Sequence, residues 1–531
     1  MKRNPEYKPL LFTTTMRNPK RIKGYLNILS NFDGKILTNI VAEKIMGEMI
    51  KYGLYRPMNQ LDQVKKKWKG SRKGEFSNKL LSNSEVFEML RNNPQNHKEA
   101  GFEKGWASRF ATVFDFTKEL GFVYYWHNEP IQFSKVGLKL ANSIVVKADN
   151  DGFIIVSDIH PEFEQQAFLH ALTKYQRNNP FVRVLNENVP FVLLLEVIKK
   201  LNSDNKFNNC GISRSELPLI IFWKDNNSDE LYMLIKKIRK KYRYNPSREF
   251  IIDICINEIM GGNFKKFKPK SIMVEYPDEF IRKMRITGLV SLRGRGRFID
   301  INRNEQEKVD YILDNYSNYK KYQTEKDYFN YMATIDENLF SFENKPITSE
   351  ESNKYLEKWI KIYSWDEVKK EMLILSKKEL SRDKLLKLLP EPVRLEFLTA
   401  IAIKSKFRNV RVFPNYPCDD EGLPTSTAGG VGDKGDIECF ENINGILVEV
   451  TISEGRSQTI MEVWPITRHL ESFGSQVDNS MCYFIAPSIF IDSKRQINFV
   501  KKTEKIHIVP KTIREFLDYI DSNNALYCKE S

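Results

Sequence analysis

Long apolar runs are absent from this 531-residue sequence. Its most apolar segment, residues 189–197, closes on Lys199-Lys200, far short of the roughly 18 residues a membrane-crossing helix needs. The six cysteines (Cys210, Cys255, Cys418, Cys439, Cys482 and Cys528) are scattered and none forms a Cys-x-x-Cys pair. Neither a disulfide framework nor a zinc-type cluster is therefore expected. Met1-Lys2-Arg3-Asn4-Pro5 is basic but leads into polar sequence, so no signal peptide is expected, and the chain reads as cytoplasmic. No Gly-x-x-x-x-Gly-Lys-Ser/Thr loop is present, which excludes ATP-driven translocation of the P-loop kind. What remains is ordinary folded-protein composition, 41% hydrophobic and 29% charged, at a length suited to about three or four domains.

The charge is uneven. The formal net charge is +14, and residues 1–300 carry 51 basic against 32 acidic side chains, whereas residues 301–531 carry 32 against 37. A general lysine bias would spread evenly. A basic field confined to one part of a chain points to a polyanionic partner, with nucleic acid first.

Within the basic part, helical periodicity over residues 107–120 closes at Gly121, two short strand-like runs follow at 122–126 and 130–133, and a helix starts near Val136. Helix, hairpin, helix is the order of a winged-helix unit. The order recurs with a helix at 279–286, strands at 289–292 and 298–301, and a turn through Arg293-Gly294-Arg295-Gly296-Arg297. Between them, residues 212–242 read as two helices about a polar turn at 224–228. The basic clusters lie here too: Lys65, Lys66, Lys67, Lys69, Arg72 and Lys73 around Trp68, the run Lys236–Tyr242 ending in Arg243, and Arg293, Arg295 and Arg297 among glycines. Any one of these is most simply a solvated face. Together they mark DNA-contacting positions, with Lys65, Lys66, Lys67, Lys69, Arg72, Lys73, Arg293, Arg295 and Arg297 as the candidates. Residues 303–380 read as a helical linker of low apolar periodicity.

The pattern turns α/β after residue 381. Residues 393–407 form an apolar helix interrupted by Glu396; a strand spans 409–413; and a polar stretch at 414–432 leads to Lys434-Gly435-Asp436-Ile437-Glu438. A turn at 441–445 returns the chain through Ile446-Leu447-Val448-Glu449-Val450-Thr451, so a hairpin carries one acid on each strand. A helix is expected at 457–472, then strands at 481–486 and 507–509. Glu449 interrupts an otherwise apolar strand, which is costly unless compensated. A divalent cation resolves the repulsion of two such acids, and two carboxylates with one backbone carbonyl, that of Val450, suffice for Mg²⁺, which keeps several of its waters. An exposed strand face for Glu449 is the plainer reading of one acid alone; Glu396, Asp436, Glu449 and Glu462 together outweigh it.

Helix acid, strand Asp and strand Glu-x-Lys is the order of the PD-(D/E)xK nuclease core, with Thr451 standing at the lysine position. The wider segment is more specific. Gly435-Asp436-Ile437-Glu438, Leu447-Val448-Glu449-Val450-Thr451, Gln458, Met461-Glu462 and Pro465-Ile466-Thr467-Arg468-His469 closely resemble the catalytic domain of AlwI-like type IIS restriction endonucleases and their strand-nicking relatives, the PleI and MlyI group. Leu395-Glu396-Phe397-Leu398-Thr399 also matches, as do Arg17-Asn18-Pro19-Lys20-Arg21-Ile22 and Leu29-Ser30-Asn31-Phe32-Asp33-Gly34-Lys35 near the start. These relatives likewise have Glu-Val-Thr, so the resemblance implies that the missing lysine is a family trait.

By position, the resemblance implies catalytic Glu396, Asp436, Glu449 and Glu462, with Asp436, Glu449 and Val450 holding Mg²⁺. Glu462 would place a water or a second ion, and Glu396 would act from behind the ligands or hold a metal-bound water. Gln458 would share a helix face with Glu462, Lys434 would lie on the face of Asp436, and Arg468 and His469 stay outside the catalytic set. The expected architecture is multidomain: a mainly α recognition region with two or three winged-helix-like subdomains (1–302), a helical linker (303–380), and an α/β restriction-endonuclease-like catalytic domain (381–531). The implied function is Mg²⁺-dependent hydrolysis of double-stranded DNA at a distance from a short asymmetric site, leaving 5′-phosphates. A transient homodimer or a separate small catalytic subunit would make the second cut. The competing readings are a winged-helix regulator whose degenerate nuclease-like domain serves dimerisation, and a repair or transposon nuclease that prefers a DNA structure. With six histidines and no His-Asn-His pattern, an HNH nuclease is excluded.

Overall fold

The computed structural model describes residues 5–9, 21–99, 101–204, 206, 210–264, 267–342, 349–425, 434–477 and 479–528. Residues 17–20 of the matched opening segment and 426–432 of the polar stretch lie outside them. The chain is multidomain and helix-rich. It divides into two units, one comprising Met1–Arg293 with Arg297–Glu343, the other Gly294–Gly296 with Asn344–Ser531. Residues 303–343 thus group with the first unit and 344–380 with the second. Among the described residues no helix is long and apolar enough to cross a membrane.

The first unit is built of helices and short hairpins. The periodic stretch near 107–120 is the helix Trp106–Glu119, with Phe110, Val113, Phe114 and Phe116 fully buried. It stops where Gly121 takes a φ of +71°, a conformation that costs glycine nothing. The hairpin behind it has two residues per strand, Val123–Tyr124 against Gln132–Phe133, and Ser134 caps the helix Lys135–Ala141. A second hairpin, Ile144–Ala148 against Ile154–Asp158, follows directly; its strands were not expected, since their tips are polar and exposed. Further on, Tyr276–Arg285 and the strands Val290–Arg293 and Phe298–Ile301 repeat the helix–hairpin order, and Ile212–Ser213 adds a third strand to that sheet.

The second unit carries a mixed five-stranded sheet. In chain order its elements are α1 (Glu391–Lys406), β1 (Arg411–Pro414), β2 (Ile437–Glu441), β3 (Asn444–Val450), α2 (Arg456–Met461), α3 (Val463–Gly474), β4 (Asn479–Ala486), α4 (Ile491–Thr503), β5 (Ile508–Thr512) and α5 (Ile513–Ser522). The strand order is β5-β4-β3-β2-β1, with β3, β4 and β5 parallel and β1, β2 and β3 antiparallel. The β2–β3 turn is tight because Asn442 takes a left-handed φ of +57°, which asparagine tolerates. Along β3, Leu447 faces a core of Val463, Ile466, Leu470, Phe473, Cys482, Phe484, Ile497 and Ile508, so α3 and α4 cover that side. On the other side Tyr483 meets Phe516 and Tyr519 of α5. Each fully buried Leu, Ile or Phe stabilises by about 1.5–3 kcal/mol, which holds the sheet rigid beneath whatever its strand ends carry.

Candidate active site

The β2–β3 register pairs Ile437 with Val448, and this brings Asp436, just ahead of β2, opposite Glu449. The Val450 N–H donates to Asp436 Oδ2 at 2.8 Å. Glu449 shares the period-two face of Leu447 and is 6% exposed. Glu396 comes from the middle of α1, 3% exposed, and its Oε2 has no hydrogen-bond partner.

One helix expected at 457–472 is in fact two, α2 and α3, which break at Glu462 (φ −108°, ψ −48°). Gln458 is fully buried, where Nε2 donates to the carbonyls of Ser453 and Ser488 and Oε1 accepts from the Phe490 N–H, and its own carbonyl accepts the Glu462 N–H. The kink leaves Glu462 Oε1 to accept a hydrogen bond from the Thr451 hydroxyl at 2.8 Å. Two turns further along, on α3, His469 Nδ1 lies 2.8 Å from Glu449 Oε1. Lys434 and Arg468 are exposed.

Electrostatics tie the four acids together. Burial, then the charge of Glu449, pushes Asp436 well above the usual carboxylate range. Burial and the charge of Glu462 raise Glu449 to about 8. Glu396 is raised by burial and by the charges of Asp436 and Glu449, and Glu462 by burial against hydrogen bonds from Thr451 and Ser453. Each uncompensated buried charge costs several kcal/mol. Among the described residues no three His, Cys, Asp or Glu side chains form a ready-made ligand set. The donor chemistry nevertheless fits a hard divalent cation: several carboxylate oxygens drawn together, and a buried Glu396 oxygen without a partner.

Gly435 makes room for this arrangement. A Cβ there would stand 2.4 Å from Leu447 Cδ1 and 2.7 Å from Glu449 Oε1. In the sequence Gly435, Thr451 and His469 are legible as motif letters, but their contacts are not. The available signal is their spacing: one before Asp436, two after Glu449, seven after Glu462.

The basic candidates separate by burial. Lys65, Lys66, Lys69 and Lys73 are exposed, Arg72 is half-buried, and Lys67 is held by Glu85 at 2.6 Å. Trp68 is core, with the Arg56 guanidinium stacked over it. Of the Lys236–Tyr242 run, Arg239 is buried in a bidentate pair with Glu216. Arg293 is also buried, bonded to Asp300 and to the Ile301 carbonyl, and braces its own hairpin. Arg295 sits over the Tyr363 ring and bonds Glu367 (2.7 Å) and Asp383 (3.1 Å). Arg297 is exposed.

Residues 118–388 and 351–519 match a restriction endonuclease family, which makes this chain a DNA nuclease. The family is that of the AlwI restriction endonuclease, and the chain belongs to it. No curated protein matches the sequence. Among solved structures, the chain is similar to the small subunit of the heterodimeric restriction endonuclease R.BspD6I, at 22% identity over 28% of this chain and 75% of that one, TM-score 0.24. It is also similar to the restriction endonuclease FokI, at 12% identity over 97% of both chains, TM-score 0.24. With FokI bound to DNA the figures are 12% identity, 80% of this chain, 81% of that one and a TM-score of 0.22.

Proposed function

We propose that this chain is a type IIS restriction or strand-nicking endonuclease with a PD-(D/E)xK-type catalytic domain. Its first unit recognises a short asymmetric duplex site through winged-helix-like subdomains, and its second unit hydrolyses a phosphodiester at a distance, with Mg²⁺, leaving a 5′-phosphate. The observation that carries this reading is the acid cluster at the β2–β3 hairpin, with Glu396 and Glu449 buried, Asp436 and Glu462 half-buried, Asp436 held by the Val450 N–H and Glu462 by the Thr451 hydroxyl.

Asp436, Glu449 and the Val450 carbonyl are the groups that would hold the cation. When bound, a divalent cation supplies Lewis acidity and lowers the pKa of water at the phosphate. Asp436 is oriented for this by the Val450 N–H, and Glu449 by His469. Glu462, from the α2–α3 junction, would position a water or a second ion, and Glu396 would act from behind the ligands. DNA is held by exposed cations of the first unit, of which Lys65, Lys66, Lys69, Lys73 and Arg297 have side chains in solvent. The sequence has a single Asp436/Glu449 hairpin, so one chain cuts one strand and the second cut takes another copy or a separate catalytic subunit.

The test is a plasmid time course with purified protein and Mg²⁺, with the ends of the products sequenced. Relaxed circles preceding linear DNA, with breaks at a constant offset from one short sequence, support the reading. Asp436→Ala should bind the same site without cutting. Specific binding with no cleavage by the unaltered protein would instead make it a regulator.

A further inference from the structure

Thr451 occupies an unusual place for a hydroxyl. Its Oγ1 accepts the Ser453 N–H at 3.0 Å, a local turn typical of threonine, and so its single proton is directed elsewhere. That proton goes to Glu462 Oε1 at 2.8 Å. Both ends of the bond are anchored. The Thr451 N–H donates to the Ile485 carbonyl of β4 at 2.9 Å, and the Glu462 N–H donates to the carbonyl of Gln458, itself buried and bonded on three sides. Glu462 in turn acts electrostatically on both Asp436 and Glu449.

We propose that Thr451 is a positioning residue for the cleavage reaction: its hydroxyl fixes the Glu462 carboxylate toward the Asp436/Glu449 pair and thereby sets the affinity of the site for its divalent cation. The inference rests on the metal-dependent reading above. It gives the strand position two residues after Glu449 a defined task. Here the strand supplies a hydrogen-bond donor that recruits another carboxylate, where a cationic side chain at the same place would neutralise one. No cationic side chain stands at that strand position, so activity should depend steeply on the divalent-cation concentration. Donors that orient carboxylate ligands typically contribute about 10- to 100-fold in metal affinity.

The experiment uses the full chain with Thr451→Val, which keeps the shape and removes the hydroxyl, and Thr451→Ser, which keeps the hydroxyl and removes the methyl group. Three quantities are read: the Mg²⁺ midpoint of single-turnover plasmid cleavage, Mn²⁺ binding by calorimetry without DNA, and thermal midpoint. Thr451→Val is expected to raise the Mg²⁺ midpoint and weaken Mn²⁺ binding by about tenfold or more, with Thr451→Ser restoring most of both. In the Glu462→Gln background, Thr451→Val should add no further loss, because the hydroxyl acts through that carboxylate. Unchanged metal affinity in Thr451→Val, or equal damage in Thr451→Ser, overturns the proposal. Should Thr451→Val unfold, the valine would have failed by packing, and an intact, metal-deficient Thr451→Ala would carry the same test. Asp436→Ala separates the two levels: if that variant still cleaves, the site reading itself fails, whereas a dead Asp436→Ala beside an unimpaired Thr451→Val sinks only the role of Thr451.

Discussion

Glu449 and Gly435 fit together as carboxylate and gap: Glu449 Oε1 lies where the first side-chain carbon of any other residue at 435 would crowd it, at 2.7 Å. Leu447 Cδ1 bounds the same gap at 2.4 Å. Gly435→Ala therefore has to displace Glu449, Leu447 or the β2 entry. The expected result is a loss of cleavage of at least about tenfold with DNA binding retained, and a stability loss of about 1–3 kcal/mol from overpacking. Cleavage rates with a denaturant melt measure both; full activity in the alanine variant contradicts the packing described.

Glu396 is a buried acid whose Oε2 has no partner, pushed up by burial and by its acidic neighbours. In metal-free protein its removal relieves strain. Glu396→Gln should raise the thermal midpoint in EDTA while lowering cleavage in Mg²⁺, the opposing signs expected where function holds like charges together. A variant that is both less stable and less active would show Glu396 to be structural.

Glu119 allows a pH test in the first unit. It is 1% exposed, accepts the Tyr175 hydroxyl at 3.0 Å, and is raised to about 8, chiefly by burial. A carboxyl whose folded pKa lies above its ordinary 4.5 binds its proton more tightly when folded. Its stabilising contribution is complete below about 4.5 and is lost as pH rises through about 8, at up to roughly 1.4 kcal/mol per pH unit. Glu119→Gln stays neutral throughout. Its melting midpoint relative to the unaltered protein should rise steadily from pH 5 to pH 8.5; a constant difference would place the titration elsewhere.

Lys66 and Lys69 are exposed on the segment around Trp68. If they meet phosphates, changing both to alanine should weaken binding equally on every DNA sequence. The dependence of log affinity on log salt should also flatten, by about 0.9 for each phosphate that is no longer neutralised. Filter binding across a salt series reads the slope. An unchanged slope would remove this segment from the DNA-binding surface.

Much of the site was legible because its chemistry is written in local pattern. An acid inside an apolar strand, another thirteen residues earlier across a tight turn, and a third within an apolar helix are anomalies that burial makes expensive, and alternation alone shows them. Basic clusters were harder to read. Lysine and arginine carry the same letter whether their heads lie in water or fold back onto a carboxylate. Only packing separates exposed Lys66 from Arg293, closed over Asp300, or Arg239, paired with Glu216.

Three things were determined by the sequence itself: the asymmetry of charge, the helix–hairpin order of the first unit, and the pairing of Asp436 with Glu449, since strand period and turn length set the register between them. The tertiary structure alone decided the rest. It broke the expected 457–472 helix at Glu462, and it tied buried Gln458 to the Ser488 carbonyl and the Phe490 N–H, about thirty residues away. It joined Thr451 to Glu462 and His469 to Glu449 across separate elements. Hydrogen bonds between distant segments depend on how a helix is seated on its sheet, and one-dimensional periodicity records only which face is apolar.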